Sequence, residues 1–174
     1  MSTAEDRGWG AVGKPGSAVG RAYEAKNIVP TAISDGGRIV TLRVHRTIAP
    51  LVKAFLSEIT TATRSPDGKA YHIAGGVTDD WGYCHRYMRG SSSKLSNHSW
   101  GLAIDINATK NPMQTRKANG SLVTDIPAWV VSAAAFYGFS WGGNYMHRPD
   151  PMHFEFLGTP AQATALVKRL GLTP

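Results

Sequence analysis

The sequence predicts an α+β fold: a small, mainly antiparallel sheet with flanking helices. Three observations predict it. Leu102 to Asn107 alternates apolar and polar side chains, the period of a strand. Ile48, Leu51, Val52, Phe55, Leu56 and Ile59 recur at helical spacing. Strand and helix candidates do not alternate regularly along the chain, so the two kinds of element are expected to segregate.

Residues 1–35 hold Gly8, Gly10, Gly13, Pro15, Gly16 and Gly20 and read as an irregular N-terminal arm, with 36–174 forming one domain. Gly8 to Lys14 nearly spells a phosphate-binding loop. Pro15 stands where a hydroxyl should hold magnesium, and no strand precedes it, so nucleotide binding is not expected. Arg38 to Val44 alternates as a strand. The apolar spacing from His45 predicts a helix to about Thr61–Thr63, stopped by the turn Ser65-Pro66-Asp67-Gly68. Ala70 to Gly76 is a short strand candidate. Residues 78–97, rich in Gly, Ser and Asp, read as a long functional loop. In the strand at 102–107, Leu102, Ile104 and Ile106 share one face and Ala103, Asp105 and Asn107 the other. Asp125-Ile126-Pro127 is expected to cap a helix through Tyr137, ended by Gly138. Met152 to Phe156 is a final strand. Thr159-Pro160 opens a helix to Leu170, closed by Gly171.

The bulk properties limit the function classes. A chain of 174 residues suffices for one domain with a core. No run approaches the length of a membrane span, so stable membrane insertion is not expected. Met1 to Arg7 lacks a basic stretch followed by an apolar one, so no secretory signal is expected. The net charge of +7 favours an anionic partner such as a cell wall. The basic residues are scattered, which speaks against nucleic acid. The single cysteine, Cys84, permits no internal disulfide and no paired-cysteine metal site.

The chemistry concentrates in Ser96 to Asn107 and in Asp150 to Glu155. Zinc takes neutral imidazole nitrogen and carboxylate oxygen, and a catalytic site keeps one position open for water. His98 on a loop, Asp105 on a strand and His153 on a neighbouring strand supply three such ligands. No His-Glu-x-x-His helix is present. Asp150, three residues before His153 and flanked by Pro149 and Pro151, ranks first as general base, with Glu155 as its rival. Either carboxylate could instead orient an imidazole. Arg86 and Arg89 are candidate cations for a developing oxyanion. Ser96 and Asn97 are candidate hydrogen-bond donors, and Trp81, Trp100, Trp141 and Tyr145 could line a groove for an extended substrate. His72, His85 and His147 are spare imidazoles.

The motifs Ser96-x-His98, Asp105 and Asp150-x-x-His153, with Tyr83-Cys84-His85-Arg86, Arg89-Gly90-Ser91, Ala103-Ile104-Asp105-Ile106-Asn107, Asn111-Pro112 and Trp141-Gly142-Gly143, resemble a known group. The resemblance spans about Gly82 to Phe156. It is to the zinc peptidases of peptidoglycan: the VanY and VanX type D-alanyl-D-alanine peptidases and the L-alanyl-D-glutamate endopeptidases of phage endolysins. It implies the fold these enzymes share with the hedgehog signalling domain. It implies His98, Asp105 and His153 as zinc ligands, Asp150 as base, Arg86 (or Arg89) at the carbonyl oxygen, and Ser96 as a substrate contact. Arg89 and Trp141 are taken as further substrate-binding residues. Asp150 stands where many members carry Glu, so the backbone must approach the metal more closely.

The expected function is zinc-dependent hydrolysis of peptidoglycan stem-peptide amides by a monomer. The leading expectation is an L-alanyl-D-glutamate endolysin made in the cytoplasm and acting at the bacterial wall after release. The alternatives are a D-alanyl-D-alanine carboxypeptidase or dipeptidase, and a non-catalytic hedgehog-like zinc-binding module. The glycosylation sequons Asn97-His98-Ser99 and Asn107-Ala108-Thr109 flank the ligands, which favours a bacterial or phage setting.

Overall fold

A computed structural model describes residues 2–73 and 79–173. In chain order the elements are α1 (Ala18–Asn27), β1 (Ile28–Asp35), β2 (Arg38–His45), α2 (Ala49–Thr60), β3 (Ala103–Asp105), α3 (Ala128–Phe136), β4 (Phe139–Trp141), β5 (His153–Phe156) and α4 (Pro160–Arg169). The class is α+β and the pairing antiparallel, as expected. The strands form two sheets rather than one: the hairpin β1–β2, and a three-stranded sheet in the order β3-β5-β4.

The segment 1–35 is not an irregular arm. Ser17 caps α1 by accepting a hydrogen bond from the Gly20 amide, and β1 pairs with β2 along its whole length. Some of the glycines that suggested irregularity have structural duties. A Cβ at Gly20 would lie 2.3 Å from the His85 ring, so only glycine lets α1 sit against the 81–86 segment. Gly36 and Gly37 both take positive φ and close the hairpin. Pro30 is tolerated because β1 has only one partner strand. Trp9 reaches the main core, where its indole N–H donates to the Gly158 carbonyl.

The core is organised around α2. Leu51, Val52, Phe55, Leu56 and Ile59 are fully buried, as the helical spacing predicted. Burying each such side chain is worth about 1.5–3 kcal/mol. Phe55 packs against Phe154 and Phe139 at ring-centroid distances of 5.4 and 5.9 Å. Phe154 thus anchors β5 from the core side, which turns its neighbours His153 and Glu155 to the opposite face. On β3 the fully buried Ile104 does the same for Asp105.

Other expectations need adjustment. Residues 70–73 form no strand, and the rest of the 70–76 candidate lies outside the described residues. The strand expected over 102–107 is shorter, 103–105. Asp125 does not cap α3. Its carboxylate instead accepts hydrogen bonds from the Tyr71 hydroxyl and the Asn111 amide, which ties the 108–125 segment down. α4 carries a full capping box between Thr159 and Gln162. Among the described residues no helix is long and apolar enough to cross a membrane.

Candidate metal centre

Three local features bring the proposed ligands together. Ser96 opens a single 3-10 turn, Asn97–Trp100, and its hydroxyl accepts from the His98 amide at 3.4 Å. Gly101 then reverses the chain at φ 67°, where a Cβ would lie 2.6 Å from the His45 nitrogen. This delivers Leu102 straight into β3. Across the sheet Asp105 stands opposite His153, with Ala103 opposite Glu155. The Asp105 backbone bonds to Trp81 rather than to His153, so the pair is of the close, non-hydrogen-bonded kind.

His98 Nε2 lies 3.2 Å from Asp105 Oδ2 and 3.2 Å from His153 Nδ1, and His153 Nδ1 lies 2.9 Å from Asp105 Oδ1. All three side chains are buried. Ligands about 2.0–2.2 Å from a tetrahedral zinc sit roughly 3.3–3.6 Å apart, so small outward shifts would admit the ion. The ring nitrogens facing away are occupied. His98 Nδ1 lies 2.6 Å from the Gly82 carbonyl and His153 Nε2 lies 3.4 Å from Glu155 Oε2. Each fixes the tautomer that leaves a lone pair pointing at the shared centre. The donor set therefore fits a divalent metal.

The electrostatics agree. Burial alone would raise the Asp105 carboxyl, but His98 and His153 outweigh it and hold it far below the usual carboxylate range. Burial opposes charge on His153, yet Asp105 and Glu155 push it up to about 10.

Glu155 is also charged. Burial works against it, but His153, Tyr145 and Asn97 lower it to about 2. Its Oε1 accepts from the Tyr145 hydroxyl and its Oε2 from the Asn97 amide. With both oxygens engaged, Glu155 is built to orient His153 rather than to accept protons.

Asp150 differs. Its Oδ1 is buried with no hydrogen-bond partner. Burial raises its proton affinity, Asp105 adds to this, and His153, His98 and Arg89 partly offset it. The main chain holds it in place: the Asp150 amide donates to the Gly142 carbonyl at 2.9 Å and the His153 amide to the Asp150 carbonyl at 3.1 Å. A Cβ on Gly142 would come within 2.6 Å of that carbonyl, so the close approach an aspartate needs depends on this glycine as well as on the flanking prolines.

The remaining candidates divide. Arg89 is the arginine whose charge acts on Asp150, whereas the Arg86 guanidinium donates to the Tyr87 carbonyl. The Arg86 backbone is clasped by Ser99, whose hydroxyl both donates to its carbonyl and accepts from its amide. Trp141 donates its indole N–H to the Pro151 carbonyl, bracing the loop that carries Asp150. Tyr145 and Gly82 were not singled out for these contacts by the motifs; a carbonyl acceptor has no side-chain signature in sequence. His72 pairs with Asp35, and His85 with the Gly13 carbonyl, away from the trio. Cys84 is exposed, and its amide donates to the His98 carbonyl.

Residues 89–156 match the family model described as D-alanyl-D-alanine carboxypeptidase. The match takes in Ser96, His98, Asp105, Asp150, His153 and Glu155, and starts after Arg86. Over this segment the resemblance read from the motifs holds, and it supports a peptidase that acts on peptidoglycan. No curated protein matches the chain.

Proposed function

We propose that a segment of the D-alanyl-D-alanine carboxypeptidase family, wrapped around a buried His–Asp–His trio, makes this protein a zinc-dependent hydrolase of peptidoglycan stem-peptide amide bonds. The observation that carries the reading is the pairing of that trio with a buried, unpartnered carboxylate oxygen on Asp150. His98, Asp105 and His153 would hold the zinc, which when bound supplies a Lewis acid and lowers the pKa of water at its open position.

The chain's own groups supply the rest. Asp150 Oδ1 is the free acceptor beside the trio, and its raised proton affinity suits a base that takes a proton from water and returns it to the departing amine. Glu155, gripped by Tyr145 and Asn97, keeps the His153 ring from turning. Arg86 is the first candidate for the carbonyl oxygen, with Arg89, whose charge acts on Asp150, the second. Trp141 and Gly142 keep the Asp150 loop close to β5.

The finer assignment is an L-alanyl-D-glutamate endopeptidase of the endolysin kind. It would act at the bacterial wall as a monomer, with the +7 charge favouring the anionic wall. The family description favours a second reading, release of terminal D-alanine. Digestion of purified peptidoglycan with and without a chelator, followed by mass spectrometry of the products, separates them. New L-alanine carboxyl termini and D-glutamate amino termini support the endopeptidase. Free D-alanine overturns it in favour of the carboxypeptidase. No cleavage under any metal condition overturns both.

A further inference from the structure

The segment before α1 reaches the back of the metal centre. Its backbone makes a short π-type turn, Glu5–Trp9, and the side chains on either side of Arg7 are fixed. Ala4, Trp9 and Val12 are buried in the core. The Trp9 indole donates to the Gly158 carbonyl, and the Trp100 indole donates back to the Gly10 carbonyl, each at 2.8 Å.

Arg7 itself is half-buried and has an Nε without a partner, an unfavourable setting for a guanidinium unless an acid compensates. The acids that act on it are Glu155 and its neighbour Asp6, and Glu155 has the larger influence. The link to Glu155 runs through one amide. Arg7 donates from a terminal nitrogen to Asn97 Oδ1 at 3.3 Å, and Asn97 Nδ2 donates to Glu155 Oε2. The amide can face only this way, because a guanidinium offers no acceptor and an ionised carboxylate no donor. Glu155 Oε2 is the same atom that faces His153 Nε2.

We propose that Arg7 is a positioning residue for the metal centre, acting through Asn97 and Glu155 to hold the His153 ring in its metal-ready orientation. The inference rests on the reading of His98, Asp105 and His153 as zinc ligands. Arg7 lies at least ninety residues from every member of this chain of contacts, and it makes the N-terminal segment part of the site. Outer partners of ligating histidines typically change metal affinity by about 10–100-fold, and Arg7 stands two contacts further out.

The test is zinc affinity, measured by competition with a chromophoric chelator, together with the melting temperature of the metal-free protein. Arg7→Met should weaken zinc binding by about tenfold, at the low end of that range. In a Glu155→Gln background the same change should have less than about a twofold effect, because the carboxylate charge that acts on Arg7 is gone. Val40→Ala, a core truncation in β2 outside the relay, should lower the melting temperature and leave zinc affinity unchanged. Should Arg7→Met fail to fold, Asn97→Ala reads the same link from its middle, with the same expected weakening. Wild-type affinity in Arg7→Met, or an equal loss with and without Glu155→Gln, would leave Arg7 as a structural anchor only. A wild-type protein that binds no zinc would overturn the metal reading, and the relay with it.

Discussion

Asp105 stands directly opposite His153 across β3 and β5, and its carboxylate lies 2.9 Å from the imidazole nitrogen that faces His98. A one-residue slip of β3 against β5 would turn Asp105 into the core and bring Ile104 or Ile106 to the site. The geometry of the His98–Asp105–His153 trio is thus a property of sheet register, and the register is fixed by the burial of Ile104 and Phe154.

Removing a ligand should abolish metal binding. His98→Ala, Asp105→Ala and His153→Ala should each weaken zinc binding by more than about 100-fold, beyond the range of outer-shell partners. Chelation of the wild type should remove activity, and added zinc should restore it. Elemental analysis of purified variants checks the first point; retention of stoichiometric metal by any of them removes that residue from the ligand set.

The two carboxylates near His153 should separate by function. Asp150→Asn should keep zinc and lose turnover by about 100- to 10,000-fold, the span of general acid–base contributions. Glu155→Gln should chiefly weaken zinc binding while metal-saturated turnover changes less. The reverse pattern would transfer the base role to Glu155.

Activity should fall on the acid side at a pH above the ordinary aspartate range. Burial raises Asp150, and a base must be deprotonated to act. The acidic limb of the kcat/KM profile measures this. A limb below about pH 4 would show that Asp150 is not the titrating group.

His45 should make stability pH-dependent. It is buried beside Trp9 at a ring-centroid distance of 4.8 Å, and burial, with Arg46 adding, lowers it to about 4 from its ordinary value of 6.5. The unfolded chain therefore binds more protons between these values, and stability falls as pH drops from about 6.5 to about 4, levelling off below. The full effect is about 3 kcal/mol at most. His45→Asn keeps an acceptor for the Thr47 amide and should flatten this part of the profile. Denaturant unfolding of the metal-free protein at several pH values, followed by tryptophan fluorescence, reads it.

Gly101→Ala should damage fold and site together. Its φ of 67° costs a non-glycine residue about 1–3 kcal/mol, and the new Cβ would press on the His45 nitrogen and on Ile28. We expect a lower melting temperature and weaker zinc binding. A variant with wild-type values for both would show that the turn between His98 and β3 tolerates a side chain.

The sequence by itself determined which groups are candidates for the chemistry, and it determined the main packing elements. His98, Asp105, Asp150 and His153 could be chosen because imidazole and carboxylate groups are scarce and stand next to apolar strand residues. α2 and α4 were readable because the first has unbroken apolar spacing and the second has its cap in the adjacent letters Thr159-Pro160. Tertiary structure decided what depends on contacts between distant residues. Gly20 looked like a break until His85 was seen to need its space, so α1 and β1 were read as an irregular arm. Asp150 ranked ahead of Glu155 in sequence, but only the structure shows one with both oxygens occupied and the other with a bare one. Arg7 carried no signal at all, since a hydrogen bond across ninety residues leaves no trace in local spacing. Local propensity and residue type are written along the chain. Which polar atoms remain unsatisfied is settled only when the chain closes on itself, because burial is a property of the whole packing.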